Sequence, residues 1–262
     1  MDRMAQTALN SLKMLMENQM ATAHNLANLS TPGYRQDVVT DFSSIYLDRQ
    51  EGIEPRIVSS RNTGGFSVEQ GVLESTQNPL DLAIDNEGYF VIQPKNGTPA
   101  LSRRGDLQTT ENGELLDGAG NKILDNGLQP IVVPAFRKIT ISPQGEIFIQ
   151  PIGGEPGELP INVGIIATFV PVEGTKLRKS LDGHIRIEPI INDDGTTDEI
   201  EIEPNQQAKL VNGFLEKSNV NAIEEMVNTI DHQRKFEMHI KFIQMAEELD
   251  ASSSNLMRLP GM

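Results

Sequence analysis

Near the N-terminus apolar residues recur at steps of three and four, at Ala5, Leu9, Leu12, Met16, Ala23 and Leu26, with Gln19 filling the slot between Met16 and Ala23. That spacing predicts one long helix with a single apolar stripe. Pro32 ends it, because the residue before a proline is pushed out of the α region, and Gly33 offers a left-handed exit. Between Arg3 and Pro32 the only charged residues are Lys13 and Glu17. A helix on the outside of an ordinary domain carries charge on its outer face. This one carries Asn, Gln, Thr, Ser and Ala there, so it is expected to be covered on more than one side. A core helix and a helix covered by other molecules are equally compatible with the periodicity.

Residues 36–70 give a weaker pattern. Val38, Val39, Phe42, Ile45 and Tyr46 suit a short helix or an extended segment. Gln50-Glu51-Gly52 breaks it, and Thr63-Gly64-Gly65 marks a loop before Phe66. The stretch reads as a connector.

From Gly71 to about Asn205 the period becomes two. Leu80, Leu82 and Ile84 alternate with Asp81 and Ala83, Asp85-Asn86-Glu87-Gly88 turns, and Tyr89 to Gln93 returns. Glu111-Asn112-Gly113, Asp117 to Asn121 and Pro143-Gln144-Gly145 are further turns between apolar runs. Ile161 to Val170 is a longer apolar run. Ile185, Ile187, Ile200 and Ile202 alternate with Arg186, Glu188, Glu201 and Glu203, and Asn192 to Gly195 is a turn between them. Many short strands at this spacing predict an antiparallel β domain, sandwich or barrel-like.

Helical spacing returns at Val220, Ile223, Val227 and Ile230, and continues with a phase slip through Phe236, Ile240 and Ile243 to Leu249 and Leu256. Asn221 with Glu224 three residues later is a capping-box arrangement, with Ser218 as a rival cap. No proline intervenes before Pro260. The predicted helix, about 221–257, is about 55 Å long, against about 40 Å for the first. Neither buries its stripe alone. The fold class expected is therefore α+β, with a mainly antiparallel β middle domain inserted between two long terminal helices. Those helices are expected to pack together as a coiled-coil-like domain. The expected divisions are 1–35, a connector 36–70, a β-rich domain 71–213, and 214–262.

Composition narrows the function classes. A net charge of −15 argues against nucleic acid and anionic lipid as partners. The chain has no cysteine, which excludes disulfides, thiolate metal sites and a cysteine nucleophile. No apolar stretch approaches 18 residues, so no membrane-spanning helix is expected. The first residues lack a basic region followed by an apolar run, so a cleavable secretory signal is not expected.

The signature Ala23-His24-Asn25-Leu26-Ala27-Asn28, followed by Thr31-Pro32-Gly33-Tyr34-Arg35, resembles that of the bacterial flagellar rod and hook proteins. His24 stands where that family usually has Asn, and Tyr34 where it has Phe. Gln70-Gly71-Val72-Leu73 with Asn78-Pro79-Leu80-Asp81-Leu82-Ala83-Ile84 is similar to a second family segment. Gly88-Tyr89-Phe90 and Arg103-Arg104-Gly105-Asp106-Leu107 are similar to two more. Leu215 to Val220, Glu224 to Val227 and Gln233 to Glu237 resemble its C-terminal helix. The matches are in order and cover most of the chain. Departures are Val211-Asn212-Gly213-Phe214, where Gln-Gly is usual, and the poorly matching 171–205. Met1-Asp2-Arg3, the modest length and Gln233 to Met238 are most similar to the proximal-rod members, with distal-rod members as the competitor.

The resemblance implies a structural subunit of the flagellar basal-body rod that transmits motor torque across the periplasm. It implies export without a cleaved signal by the flagellar type III apparatus. The implied partners are other rod proteins and copies of the chain, with no nucleic acid, no membrane insertion and no cofactor. It places the terminal helices in the inner tube of the assembly. The assembly residues expected are Asn25, Leu26, Ala27, Asn28, Asn219, Val220, Glu224, Glu225, Met226, Val227, Gln233, Arg234 and Phe236.

Chemical readings are weaker. His232 and His239 lie about 10 Å apart along one helix, and no His-Glu-x-x-His spacing exists. Arg104-Gly105-Asp106 lies inside a matched family element, so an ordinary turn is expected rather than a receptor ligand. Asp193-Asp194-Gly195 lacks the alternating oxygen ligands of a calcium loop. Gly153 to Gly157 lacks the Gly-Lys-Ser/Thr of a phosphate loop. Glu224-Glu225 and Glu247-Glu248 read as solvated helix charge. No catalytic or metal-binding set is expected. The competing classes are a secreted β-domain binding module with the helices as a stalk, and a hydrolase using carboxylates of the β domain.

Overall fold

The computed structural model describes residues 2–38, 43–47, 56–60, 65–95, 97–153, 159–180, 182–191, 197–198 and 200–257. The turns expected at 50–52 and 192–195, and residues 154–157 of the glycine-rich stretch, lie outside them. The chain divides into two compact units. A helical unit takes Met1–Ala27, Asp37–Asn62 and Asn221–Met262. A β unit takes Asn28–Gln36 and Thr63–Val220.

In the helical unit the two long helices are α1, Asp2–Ala27, and α2, Ala222–Met257. They lie against one another. An antiparallel hairpin, Ser43–Leu47 with Arg56–Ser60, completes the unit. So Ile45 and Tyr46, left open by the pattern between helix and strand, are extended, while Val39 and Phe42 lie outside the described residues. Asn221 caps α2: its Oδ1 accepts the Ile223 N–H at 3.1 Å, satisfying a donor of the first turn. Ser218 instead turns its hydroxyl to the Val220 N–H at 3.4 Å.

In the β unit every strand pairing is antiparallel. The main sheet runs, in spatial order, Leu177–Lys179, Ile185–Ile187, Ala100–Ser102, Tyr89–Gln93, Lys122–Ile123, Leu115–Asp117 and Leu107–Thr109, with Thr168–Phe169 also on Tyr89–Gln93. Phe136–Ile141, Glu146–Pro151 and Ile161–Ile165 form a second sheet. Two further pairs bring distant chain together: Lys209–Asn212 on Leu82–Asp85, and Phe214–Glu216 on Leu73–Ser75.

The core follows from the two-residue period. Successive side chains of a strand point to opposite faces. In Tyr89–Gln93 this sends Phe90 and Ile92 into one cluster, with Leu82, Ile84, Leu115, Ile147 and Ile149. Tyr89 and Val91 go into the other, with Leu101, Leu124, Phe169 and Ile185. Four consecutive buried residues mark a strand covered on both faces. Turn chemistry supports it locally. Asp117 is buried, and its Oδ1 accepts the N–H groups of Ala119 at 2.9 Å and Asn121 at 2.8 Å, closing the turn expected there.

Candidate assembly surface and the signature segment

The helices are inside out relative to the predicted stripes. On α1 the fully buried side chains among those described are Leu15, Thr22 and Asn25. Leu12 and Leu26 are half-buried, and Leu9, Met16 and Ala23 of the stripe are exposed, with Met20 71% exposed. On α2 the sheltered side chains recur as Ala222, Glu225, Thr229, His232, Phe236, His239, Ile243 and Ala246, at alternating steps of three and four; among the described side chains Asn228 is the one half-buried position off this row. Ile223, at 75% exposure, Met226, Val227, Ile230, Met238, Phe242, Met245 and Leu249 face solvent. The phase slip at Phe236 is where an apolar side chain joins the sheltered row. A soluble helix normally buries its apolar face; a contiguous exposed one marks a contact surface.

The expected assembly residues separate into several environments. In the helical unit Asn25 and Glu225 come together, both 2% exposed. Asn25 Nδ2 donates to Glu225 Oε1 at 2.8 Å and to the Asp37 carbonyl at 3.0 Å, and its Oδ1 accepts the Asp37 N–H at 2.7 Å. Asp37 Oδ2 in turn lies 2.7 Å from His24 Nδ1. Leu26 and Phe236 are half-buried; Ala27, Glu224, Met226, Val227, Gln233 and Arg234 are exposed.

In the β unit Asn219 holds three strands of chain. Its Oδ1 accepts the Gln36 N–H at 2.7 Å, its Nδ2 donates to the Glu69 carbonyl at 2.9 Å, and its own N–H reaches the Tyr34 carbonyl at 3.3 Å. Val220 is buried, and half-buried Asn28 accepts the Thr31 hydroxyl at 3.2 Å. The helix itself ends at Ala27, before Pro32. Asn28 to Ser30 form a turn, and Gly33 takes a left-handed φ of +66° well beyond Ala27, in the segment after the helix rather than at its exit. Gly33 is also required sterically. A Cβ there would stand 2.3 Å from the Arg103 carbonyl group.

One feature had no sequence signal. Arg35, Arg103 and Glu216, far apart in the chain, form a buried ion set in the β unit. Glu216 Oε1 lies 3.0 Å from Arg35 NH2, and Oε2 lies 2.6 Å from Arg103 NH2 and 2.7 Å from its Nε. The Gly71 N–H donates to Oε1 at 3.0 Å, and Arg103 also reaches the carbonyls of Gly88 and Ile84. The three side chains are 1–3% exposed. Burial pulls the Arg35 guanidinium below its ordinary value, with Glu216 opposing. Arg35, Arg103 and Glu216 all sit in segments matched to the family, but nothing in their spacing showed that they meet.

The residues weighed for chemistry are placed as follows. Arg104 forks onto Asp106 at 2.7 and 2.8 Å, so Arg104-Gly105-Asp106 is closed on itself. Hydrogen bonding to Asp106 raises the Arg104 value. Gly105 sits where a Cβ would meet the Leu82 carbonyl. Among the described residues no group of three His, Asp or Glu side chains is placed to hold a metal ion, and no helix is long and apolar enough to cross a membrane.

Comparison with known proteins agrees with the residue-level matches. Residues 83–149 match the flagellar hook protein FlgE/F/G D1 domain, and residues 211–256 match the C-terminal domain of the flagellar basal-body rod FlgEFG proteins. These are axial proteins of the flagellum. The chain is 31% identical to the flagellar basal-body rod protein FlgF of Mesorhizobium japonicum, over 87% of this chain and 86% of that one. It is 29% identical to FlgF of Salmonella typhimurium over 99% and 100%, and 28% identical to FlgG of Borreliella burgdorferi over 96% and 97%. The chain belongs to the flagellar basal-body rod protein family, and it resembles the FlgF members.

Proposed function

We propose that this chain is a structural subunit of the flagellar basal-body rod, of the proximal-rod type. The observation that carries the reading is the inside-out helix pair. Ile223, Met226, Val227 and Ile230 on α2, with Met16 and Met20 on α1, present apolar surface that only neighbouring subunits would cover. Full burial of one such side chain contributes about 1.5–3 kcal/mol, so a few together supply a stable axial contact. The alternating three- and four-residue row on α2 supports coiled-coil-like pairing with α1. The neighbours are other rod proteins and copies of this chain, arranged by head-to-tail contacts that propagate helically. Met226, Val227, Gln233 and Arg234 belong to that outer surface. The units divide the chain at other points than 1–35, 36–70, 71–213 and 214–262: residues 28–35 and 214–220 belong to the β unit, so the surface that enters the assembly is that of α1 and α2. Torque passes through interlocked surfaces, and no catalytic step is needed. Export would use the flagellar apparatus, without a cleaved signal, into the periplasm.

The test is incorporation. Val227→Asp places a carboxylate on the outer face of α2, so it is expected to abolish recovery of the chain in purified basal bodies of a proximal-rod null strain. Hydrogen-exchange protection of residues 82–92 should stay unchanged. A variant that assembles at the parental level refutes the surface. Rescue of a distal-rod null by the parent chain, and not of the proximal one, refutes the proximal assignment.

A further inference from the structure

We infer that Asn25, Glu225 and Asp37 form a register lock inside the helical unit. The lock fixes which turn of α1 lies against which turn of α2, and so the spacing of the outer apolar side chains that a neighbour must match. The inference rests on the rod reading above for its purpose, though not for its geometry.

Apolar contacts are non-directional and tolerate sliding. Half of the sheltered row on α2 is polar: Glu225, Thr229, His232 and His239 stand among Phe236, Ile243 and two alanines. Register must therefore come from directional bonds. Asn25 supplies them with an unusually complete set. Its oxygen takes the Asp37 N–H, and its two amide hydrogens go to the Asp37 carbonyl and to Glu225. Only one orientation of the amide works. Reversed, it would set NH2 against the Asp37 N–H and oxygen against the Glu225 carboxylate.

Glu225 lies in the first turn of α2, where the free N–H groups favour a carboxylate. On its outer side Asp37 is held by His24, the residue that departs from the family signature. Sliding α1 by one turn, about 5.4 Å, would strand buried donors and a buried carboxylate together. A single polar pair in a helical seam is a known means of specifying register at some cost in stability. On this view Asn25 and Glu225 are positioning residues. They act on neighbours through the geometry of α1 and α2, not by touching them.

The absence of native cysteine permits a direct test on the soluble full chain. Spin labels at Met20→Cys and Val227→Cys, both exposed positions, report the axial offset of the helices by pulsed electron resonance. The parent is expected to give one narrow distance. Asn25→Asp, isosteric but without donors, is expected to broaden that distance or displace it by about 5 Å, one helical turn. Adding Glu225→Gln to the same chain returns a donor to the contact between the helices, though not to the Asp37 carbonyl, and is expected to narrow the distribution again at the parent distance. A parent distribution already broad, or an Asn25→Asp distance unchanged, overturns the lock. In the proximal-rod null strain, Asn25→Asp should lower incorporation at least tenfold and the double variant should recover it. If the parent itself fails to assemble, the rod reading falls and the lock is judged on the distances alone. If Asn25→Asp assembles normally with its distance shifted, register has no bearing on assembly and the inference fails.

Discussion

Replacing Glu216 by Ala tests the buried ion set most sharply. The carboxylate is 1% exposed and is shared by Arg35 and Arg103, themselves 3% and 1% exposed, and by the Gly71 N–H. Removing it leaves two guanidinium groups and one backbone donor in the interior without their acceptor. Breaking a buried ion pair from one side costs about 3–5 kcal/mol, because the remaining charge is uncompensated. A whole domain is stable by only about 5–15 kcal/mol, so the loss is a large share. With a urea slope of about 2 kcal/mol/M, the lower figure moves the midpoint down by about 1.5 M. The assay is urea-dependent hydrogen exchange followed on residues 82–92, in the core of the β unit. Asp106→Asn is the control: the Arg104–Asp106 pair is about a quarter exposed, and its loss should cost no more than about 1 kcal/mol. A Glu216→Ala midpoint within 0.5 M of the parent, roughly 1 kcal/mol on the same slope, would refute the reasoning. It would mean that water or rearranged side chains satisfy the two arginines.

Two further outcomes follow from the geometry. Gly33→Ala should destabilise the β unit by at least about 2 kcal/mol, from a left-handed backbone and from contact with the Arg103 and Arg104 backbone that cannot yield; thermal unfolding reads it, and a shift under about 0.5 kcal/mol would sink the steric account. Burial lowers the His184 value below 6.5, against the pull of Asp182. The neutral form is therefore the folded one, so its stabilisation is present above about pH 6.5 and is lost as pH falls from there through the folded value. Protection factors at Ile185–Ile187, corrected for the intrinsic exchange rate at each pH, should fall with acidification over that range, and His184→Gln should flatten the dependence.

Much was legible from the chain alone because the signals are local. Alternation from Leu80 to Gln93 and the turn residues between strands dictate an antiparallel β region. Steps of three and four, with Asn221 as the cap of the second, dictate two terminal helices, though the first ends at Ala27, ahead of Pro32. The ordered motifs from Asn25 to Phe236 carry the family resemblance. What tertiary structure alone decided is which side of each element faces inward. A periodic stripe has the same spacing whether its cover is the chain's own core or another subunit, so the pattern left both open for Leu9, Met16, Ile223 and Val227, which stand in solvent. Asn25 and Glu225, both picked out for assembly, meet each other although they stand 200 positions apart in the sequence. Arg35, Arg103 and Glu216 likewise converge from three segments. Side-chain spacing encodes local conformation, whereas the pairing of buried polar groups depends on distances set by the folded backbone, and no local pattern contains them.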